Sequence, residues 1–329
     1  MVRWLAWVAV VMVISACRPG TSEGAATGSS RKGASKVRKY PARVHDKRAP
    51  ATITRPSQPM GLAEAHRYFL KLVNRDREAE GLEPVAWDPV AEKAGREHAK
   101  DMAEHGFTSH FGTDGSVPEL RYTRAGGEGM VQENAACFFD EAERDLDANA
   151  VFTAASLEEI EASFMGEKPP HDGHRKNILT PWHNHVGIGL VQPVGVPVPC
   201  VAQEFVDQYG DYAALPSSAK VGETAHVAGT VVPPAVFAGV GVARIESPSP
   251  MKPSRLNAIH TYPVPQPYAT YFPRGFVTKI PVRVDGNRFS IDVPLDDRRR
   301  AGVYEVSVWA NVPETSDLVM VSLRTVNVK

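Results

Sequence analysis

Cysteine is scarce in this chain: Cys17, Cys137 and Cys200 are the three present among 329 residues. That is too few for a disulfide-built scaffold, and the spacing fits no zinc knuckle. Net charge is nearly absent too, at -1 for pH 7, which argues against a bulk nucleic-acid binder and gives no specific nucleic-acid partner. No apolar run spans a bilayer comfortably. The best, WLAWVAVVMVI from Trp4 to Ile14, falls short of the roughly 20 residues a spanning helix needs. The sequence holds no H-E-x-x-H helix and no G-x-S-x-G turn joining a strand-like run to a helical one. Nor does any segment repeat at a solenoid period.

The chain does carry an export signal. Arg3 supplies a positive start, the apolar run follows, and small Ser15 and Ala16 precede Cys17. Ile14-Ser15-Ala16-Cys17 resembles a bacterial lipobox, with isoleucine where leucine is usual; a plain cleaved signal with an incidental cysteine is the alternative. Residues 1–17 are thus read as a lipoprotein signal ending in an acylated Cys17. Two or three acyl chains, at about 0.8 kcal/mol per buried CH₂, anchor a protein stably to a membrane. The rest would be an extracytoplasmic, lipid-anchored envelope protein, in the periplasm or at the cell surface. Cys137 and Cys200 then remain as a pair in an oxidising compartment, either bridged or as two buried thiols.

Residues 18–59 are rich in Ser, Gly, Ala, Thr and Pro and poor in large apolar groups, so they cannot bury enough surface to fold. Ten cations, among them Arg31, Lys36, Arg43 and Arg55, face only Glu23 and Asp46 there. This basic tether is either a solvated spacer or a contact for anionic envelope surfaces. Folded texture starts near Gly61. Leu62, Ala65, Phe69, Leu72 and Val73 recur at helical spacing toward Gly81. Asp88-Pro89 opens a second helix whose apolar face includes Ala91, Ala94, His98 and Met102, with Gly106 as its stop; His98 reads there as a core histidine. Ser156 and Glu159 form a capping box ahead of a third helix. HVGIGLVQ (185–192) and VPCVAQEFV (198–206) read as strands. Helices first and strands after suggest an α+β domain over residues 60–215.

From residue 216 to 329 the texture is short β-branched runs: TAHVAGTVV, FAGVGVARI, VTKIPVRV, RFSIDVPL, VYEVSVWANV and VMVSLRTVNV. Asp285-Gly286-Asn287 is a hairpin signal between two of them. They predict an antiparallel, immunoglobulin-like β-sandwich. Its polar residues are scattered, and His260 stands alone beside a Pro/Tyr loop.

Four segments of the first domain each offer a strong polar group: TSHFGTDG gives His110, VQENAAC gives Glu133, FMGEKPP gives Glu167, and HDGHRKNIL gives His171 and His174. In this order, with GLEPVAWDPVAEKAGREHAKDMAEHGF before them and VGIGL and VAQEF after, they resemble the CAP superfamily. That domain is shared by cysteine-rich secretory proteins, antigen 5 and pathogenesis-related proteins. The resemblance covers about Ala63 to Tyr212 and implies an α-β-α sandwich with a cleft lined by two histidines and two glutamates. These fall on His110, Glu133, Glu167 and His174. Gln132 stands where the family has glycine before the first glutamate, and Phe164 replaces the usual tryptophan three residues before the second. His171 matches no family position and is read as a turn or rim residue. Asp172-Gly173 is read as a tight turn, Asn177 as bonding backbone, and Ile178 and Leu179 as core.

Two imidazoles and two carboxylates have the donor types that Zn²⁺ accepts, with oxygens that also suit other divalent cations. Two histidines and one glutamate on zinc would leave the other glutamate, Glu133 for choice, to act as base on a bound water. A hydrogen-bonded network without metal is the competing account, and Cys137 reads better as half a bridge than as a nucleophile. The expectation is a non-catalytic envelope binding module; the alternative is a metal-dependent hydrolase of peptides or wall polymers. Lipid, sterol and wall-glycan ligands are implied by the resemblance alone.

Overall fold

The computed structural model describes residue 47, residues 49–259 and residues 261–329. The export signal, Cys17, most of the basic tether and His260 lie outside the described residues. Among the described residues no helix is long and apolar enough to cross a membrane. The last part of the tether lies against the first domain: Ile53 packs on its core, and Arg55 bonds Glu158 at 2.9 Å.

Helix α1 (Leu62–Ala79) buries Ala65, Phe69, Leu72 and Val73 on one stripe. The chain reverses at Gly81, whose φ of +77° suits glycine. Strand β1 (Ala86–Trp87) delivers it to α2 (Pro89–His105), where the Asp88 carboxylate accepts from the Val90 and Ala91 N–H groups at 2.7 and 3.0 Å. Left-handed Gly106 ends that helix. A short helix follows, α3 (Pro118–Ala125), then strand β2 (Met130–Ala136). The next helix, α4 (Ala154–Met165), begins earlier than its capping box predicted. Thr153 is the cap, its hydroxyl accepting from the Ser156 N–H at 3.1 Å, and Ser156 lies one turn inside. Thr153 takes the N-cap role one turn earlier, accepting from the N–H of Ser156 itself. A one-turn helix, α5 (Gly173–Ile178), replaces the expected tight turn at Asp172-Gly173. Strands β3 (His185–Val191) and β4 (Cys200–Asp207) complete a sheet of order β1-β3-β4-β2, with β4 antiparallel to both neighbours.

Helix α2 lies on one face of this sheet, and α1 and α4 on the other. The approach of α2 explains the VGIG motif. A Cβ on Gly187 would sit 1.9 Å from the Glu92 nitrogen, and one on Gly189 2.1 Å from the Gly95 carbonyl carbon. Strand β4 is buried along its whole length, and its residues alternate between layers. Val201, Gln203 and Phe205 face α1 and α4; Ala202, Glu204 and Val206 face α2. Cys137 and Cys200 form a disulfide that ties the end of β2 to the start of β4.

The C-terminal part is a two-sheet sandwich. Its strands are β5 (Gly210–Tyr212), β6 (Ser218–Ala219), β7 (Thr224–Val231) and β8 (Val236–Ile245), then, after the turn of helix α6 (Pro253–Leu256), β9 (Ala269–Tyr271), β10 (Arg283–Asp285), β11 (Arg288–Pro294), β12 (Gly302–Asn311) and β13 (Leu318–Val328). One sheet runs β10-β11-β7-β5 and the other β6-β13-β12-β8-β9. Val227, Phe237, Phe289, Ile291, Val306 and Val321 fill the space between them. Gly286 and Asn287 form the two-residue hairpin turn, with Asp285 opposite Arg288. The run read as strand over VTKIPVRV is cut back: after a single bridge between Val282 and Pro273 the ladder begins at Arg283, and Phe276 and Val277 stand exposed on a turn. Pro281 lacks the N–H that a ladder there would need.

The sandwich docks on the α3 and β2 edge of the first domain. The Leu323 N–H donates to the Gly129 carbonyl at 3.2 Å, the Thr325 N–H to the Thr123 hydroxyl at 3.3 Å, and the Tyr262 hydroxyl to the Glu119 carboxylate. Val117 and Leu120 share an apolar cluster with Val303.

Candidate functional site

Edge strand β2 places Glu133 and Asn134 on opposite faces of the sheet, and the site is built outward from that alternation. Glu133 points toward the α2 side. Its Oε1 lies 2.8 Å from His110 Nδ1, and the Arg121 guanidinium donates to its Oε2 at 2.7 Å. Arg121 also donates to the His110 and Ser116 carbonyls at 3.1 and 3.0 Å, holding the loop that carries the histidine. Behind them His98 bonds the Ser109 carbonyl at 2.7 Å and lies 3.7 Å from Glu133. The second pair lies on the Asn134 side of the strand. His174 Nδ1 is 2.6 Å from Glu167 Oε1, and the His174 backbone N–H donates to Oε2 at 2.8 Å. Asn134 donates to the His174 carbonyl at 3.2 Å and accepts from Asn177, and Phe164 packs its ring 4.6 Å from the imidazole. Asn177 therefore bonds side chains, Asn134 and His183, and not backbone as expected; it is fully buried among other amides and an imidazole. His171 is exposed on the turn before α5.

The structure thus gathers His110, Glu133, Glu167 and His174 as two imidazole–carboxylate pairs flanking one strand. All four are buried. A cavity of about 640 Å³ opens beside the first pair, with His110 and Glu133 in its lining; His174 and Glu167 stand outside it, although Asp172, Arg175 and Lys176 line it. Its far wall belongs to the sandwich: Trp309, Leu318, Val319 and Met320, with Tyr262 and Val264 from the Pro/Tyr loop.

Electrostatics separate the acids. Burial alone would raise the Glu133 carboxyl, but His98, Arg121 and His110 outweigh it and hold the group well below the usual carboxylate range. His98 is pushed down to about 4, first by burial and then by Arg121. Glu204 sits opposite Glu133 in the β2–β4 register. Burial, reinforced by the Glu133 charge, raises it well above the ordinary value.

Among the described residues no group of three or more His, Cys, Asp or Glu side chains is arranged to hold a metal ion. The donor chemistry explains why. Both Glu133 oxygens are already engaged, one of them by a cation, so this carboxylate does not fit as a direct ligand. Each imidazole gives Nδ1 to a carboxylate, which leaves Nε2 as the nitrogen for any cation; His174 Nε2 is buried and bonds nothing.

Sequence reading missed Arg121, Glu204 and Glu119. The first and last sit on α3, whose eight residues are too few for a periodic stripe. Glu204 did leave a signal, since an acid in the middle of VAQEFV has no solvent side to point to.

Residues 70–193 match the family model described as the cysteine-rich secretory protein family, so the chain contains a CAP domain. Its sequence is similar to that of the uncharacterized protein YkwD of Bacillus subtilis (strain 168), with 26% identity over 149 residues, 44% of this chain and 51% of that protein. The chain therefore spans about half the length of this curated relative. An extracellular protein containing an SCP domain from Bacillus anthracis str. Ames, solved at 1.5 Å, aligns with 20% identity and a TM-score of 0.33, covering 44% of this chain and 40% of that one.

Proposed function

We propose that the chain is an extracytoplasmic binding module of the cell envelope, whose cleft between CAP domain and sandwich holds a lipid or glycan ligand without chemical turnover. One observation carries this reading: Glu133 is already spent. A general base needs a pKa near the working pH, and a guanidinium paired to the carboxylate works against proton uptake. Glu133 instead gives one oxygen to His110 and the other to Arg121 and stays far below the usual carboxylate range. Beside it lies a cavity of about 640 Å³, within the range of small-molecule sites. The disulfide supports placement outside the cytoplasm. In this reading Cys17 carries the lipid anchor and the basic tether meets anionic envelope surfaces.

A divalent cation, zinc first, enters the proposal only through Nε2 of His110 or of His174, the first ring oriented by Glu133 and the second by Glu167. When bound it would supply a positive centre for an anionic or hydroxyl-bearing ligand. Calorimetric titration with zinc tests this; binding kept in both His110→Ala and His174→Ala would remove the cation from the account.

The rival reading, a metal-dependent hydrolase, is separated by a direct assay. Peptide and wall-polymer substrates are incubated with the protein, with and without chelator. The binding reading expects no turnover. Chelator-sensitive turnover that disappears in Glu133→Gln would overturn it.

A further inference from the structure

The sandwich carries a feature the cleft does not use. Between Phe272 and Val282 the chain makes a compact turn, closed at its base where the Val282 N–H donates to the Phe272 carbonyl at 2.9 Å. Inside it the Thr278 hydroxyl accepts from the Phe272 N–H at 3.3 Å and donates to the Ile280 carbonyl at 2.9 Å. Gly275, at φ +104°, lets the tip fold back. The tip itself is apolar and bare: Phe276 is 68% exposed and Val277 99%. Ile280 and Val284 extend the patch at 41% and 43%. A hydrophobic tip held out by its own backbone bonds is not an unfolded end, and exposed patches of this kind mark interaction sites.

Charge identifies the partner. The stretch FPRGFVTKIPVRV from Phe272 to Val284 holds Arg274, Lys279 and Arg283 and no acid. All three are exposed, as is Arg288 on the facing strand. Among the described residues none of these four pairs with a carboxylate, unlike Arg55, Arg124 and Arg144, which do. A cavity of about 710 Å³ beside the turn is lined by Arg274 and Arg283, and its one acid, Asp292, is engaged by His226 at 2.7 Å. Apolar side chains at a tip, ringed by unpaired cations, match the two layers of a bilayer surface: acyl region below, anionic head groups above. A protein groove would need an added acidic rim to satisfy both features, whereas an anionic bilayer surface supplies both by its nature, and a wall polymer would meet the cations but not the tip.

We infer that the Phe272–Val284 turn is a membrane-docking element: Phe276 and Val277 enter the acyl boundary of a bilayer while Arg274, Lys279 and Arg283 contact anionic head groups. It is a second contact with lipid, independent of the anchor at Cys17, and it fixes which face of the sandwich meets the membrane.

The test uses the full-length chain with Cys17→Ser, so that no acyl chain is attached, and Val277→Cys labelled with a nitrobenzoxadiazole dye. Vesicles of phosphatidylglycerol and phosphatidylcholine should raise and blue-shift the emission, and bromine-labelled acyl chains should quench it. Pure phosphatidylcholine should give a much weaker response. Arg274→Gln, Lys279→Gln and Arg283→Gln, all exposed and remote from the core, should each weaken partitioning about fivefold, for about a hundredfold together. Vesicles that sediment the protein while the dye stays unchanged would show that the tether does the binding and would overturn the inference. So would a dye response to isolated wall polymer or to a protein fraction in place of vesicles.

Discussion

Glu161 offers a sharp test of the buried electrostatics. It lies in the middle of α4 with no exposed surface, accepting from Gln203 Nε2 at 2.8 Å through Oε2 while Oε1 bonds nothing. Burial first, and Asp76 second, push its carboxyl up to about 8 from an ordinary 4.5. The folded protein therefore keeps a proton that the unfolded chain has already lost. Stability from this group is present below about 4.5, declines as pH rises and is gone above about 8, at about 1.4 kcal/mol per pH unit within that window. The full effect is about 5 kcal/mol at most. Glu161→Gln keeps the acceptor for Gln203 and cannot ionise. Urea unfolding at pH 5 and pH 8.5 should show variant and parent nearly equal at the lower pH, and the variant several kcal/mol more stable at the higher one. The other raised acids, Glu204 and Asp207, are present in both proteins and cancel. An equal difference at both pH values would mean that Glu161 titrates as an ordinary carboxyl, and the account of its burial would fail.

Arg121→Met should cost about 3–5 kcal/mol in urea unfolding, because it leaves the buried Glu133 charge without its guanidinium partner; a change below 1 kcal/mol would deny the pair its role. Reducing Cys137–Cys200, which closes a loop of 63 residues' separation, should lower stability by about 4 kcal/mol, read as a fall in thermal midpoint with reductant. Tyr262→Phe should cost about 1–3 kcal/mol by depriving buried Glu119 of its hydroxyl donor. It should also weaken any ligand held against the Pro/Tyr loop, measurable as a higher Kd at a temperature where both proteins are fully folded.

The legible part of this protein was whatever local chemistry repeats or punctuates. Asp88-Pro89, Gly106 and Asp285-Gly286 each act within a few residues, and each sits where its chemistry requires. The long apolar runs of β7, β8, β11, β12 and β13 alternate strongly enough to be seen without partners. Helix α3 and strand β2 were not visible, since α3 is short and polar and QEN interrupts β2 with three polar residues. The histidines and glutamates of the site were identified by family resemblance, but their pairing was not. That His110 takes Glu133 while His174 takes Glu167 follows from the strand's alternation, which separates Glu133 from Asn134. The Cys137–Cys200 bridge stayed one of two alternatives until the β2–β4 ladder set the two cysteines 4.4 Å apart at Cα.

Least legible was the wall of the cleft, because it joins residues near 119, 262, 305 and 320 that share no local pattern. Glu305 on β12 is fully buried, and burial with neighbouring Glu119 pushes it up to about 10, so it remains protonated beside an acid of the other domain. Tyr262 closes the group by donating to Glu119. Such a cluster disfavours a charge on Glu305, which would lie buried beside another carboxyl. Val117 and Leu120 add apolar contact with Val303 across the same interface. Removing the sandwich would expose this apolar edge of α3 and leave Glu119 unpaired, so the CAP domain's outer wall is part of its own stability. Packing between the two domains therefore helps set the cavity's width, and in the proposed binding reading Trp309 and Met320 would select a ligand as much as His110.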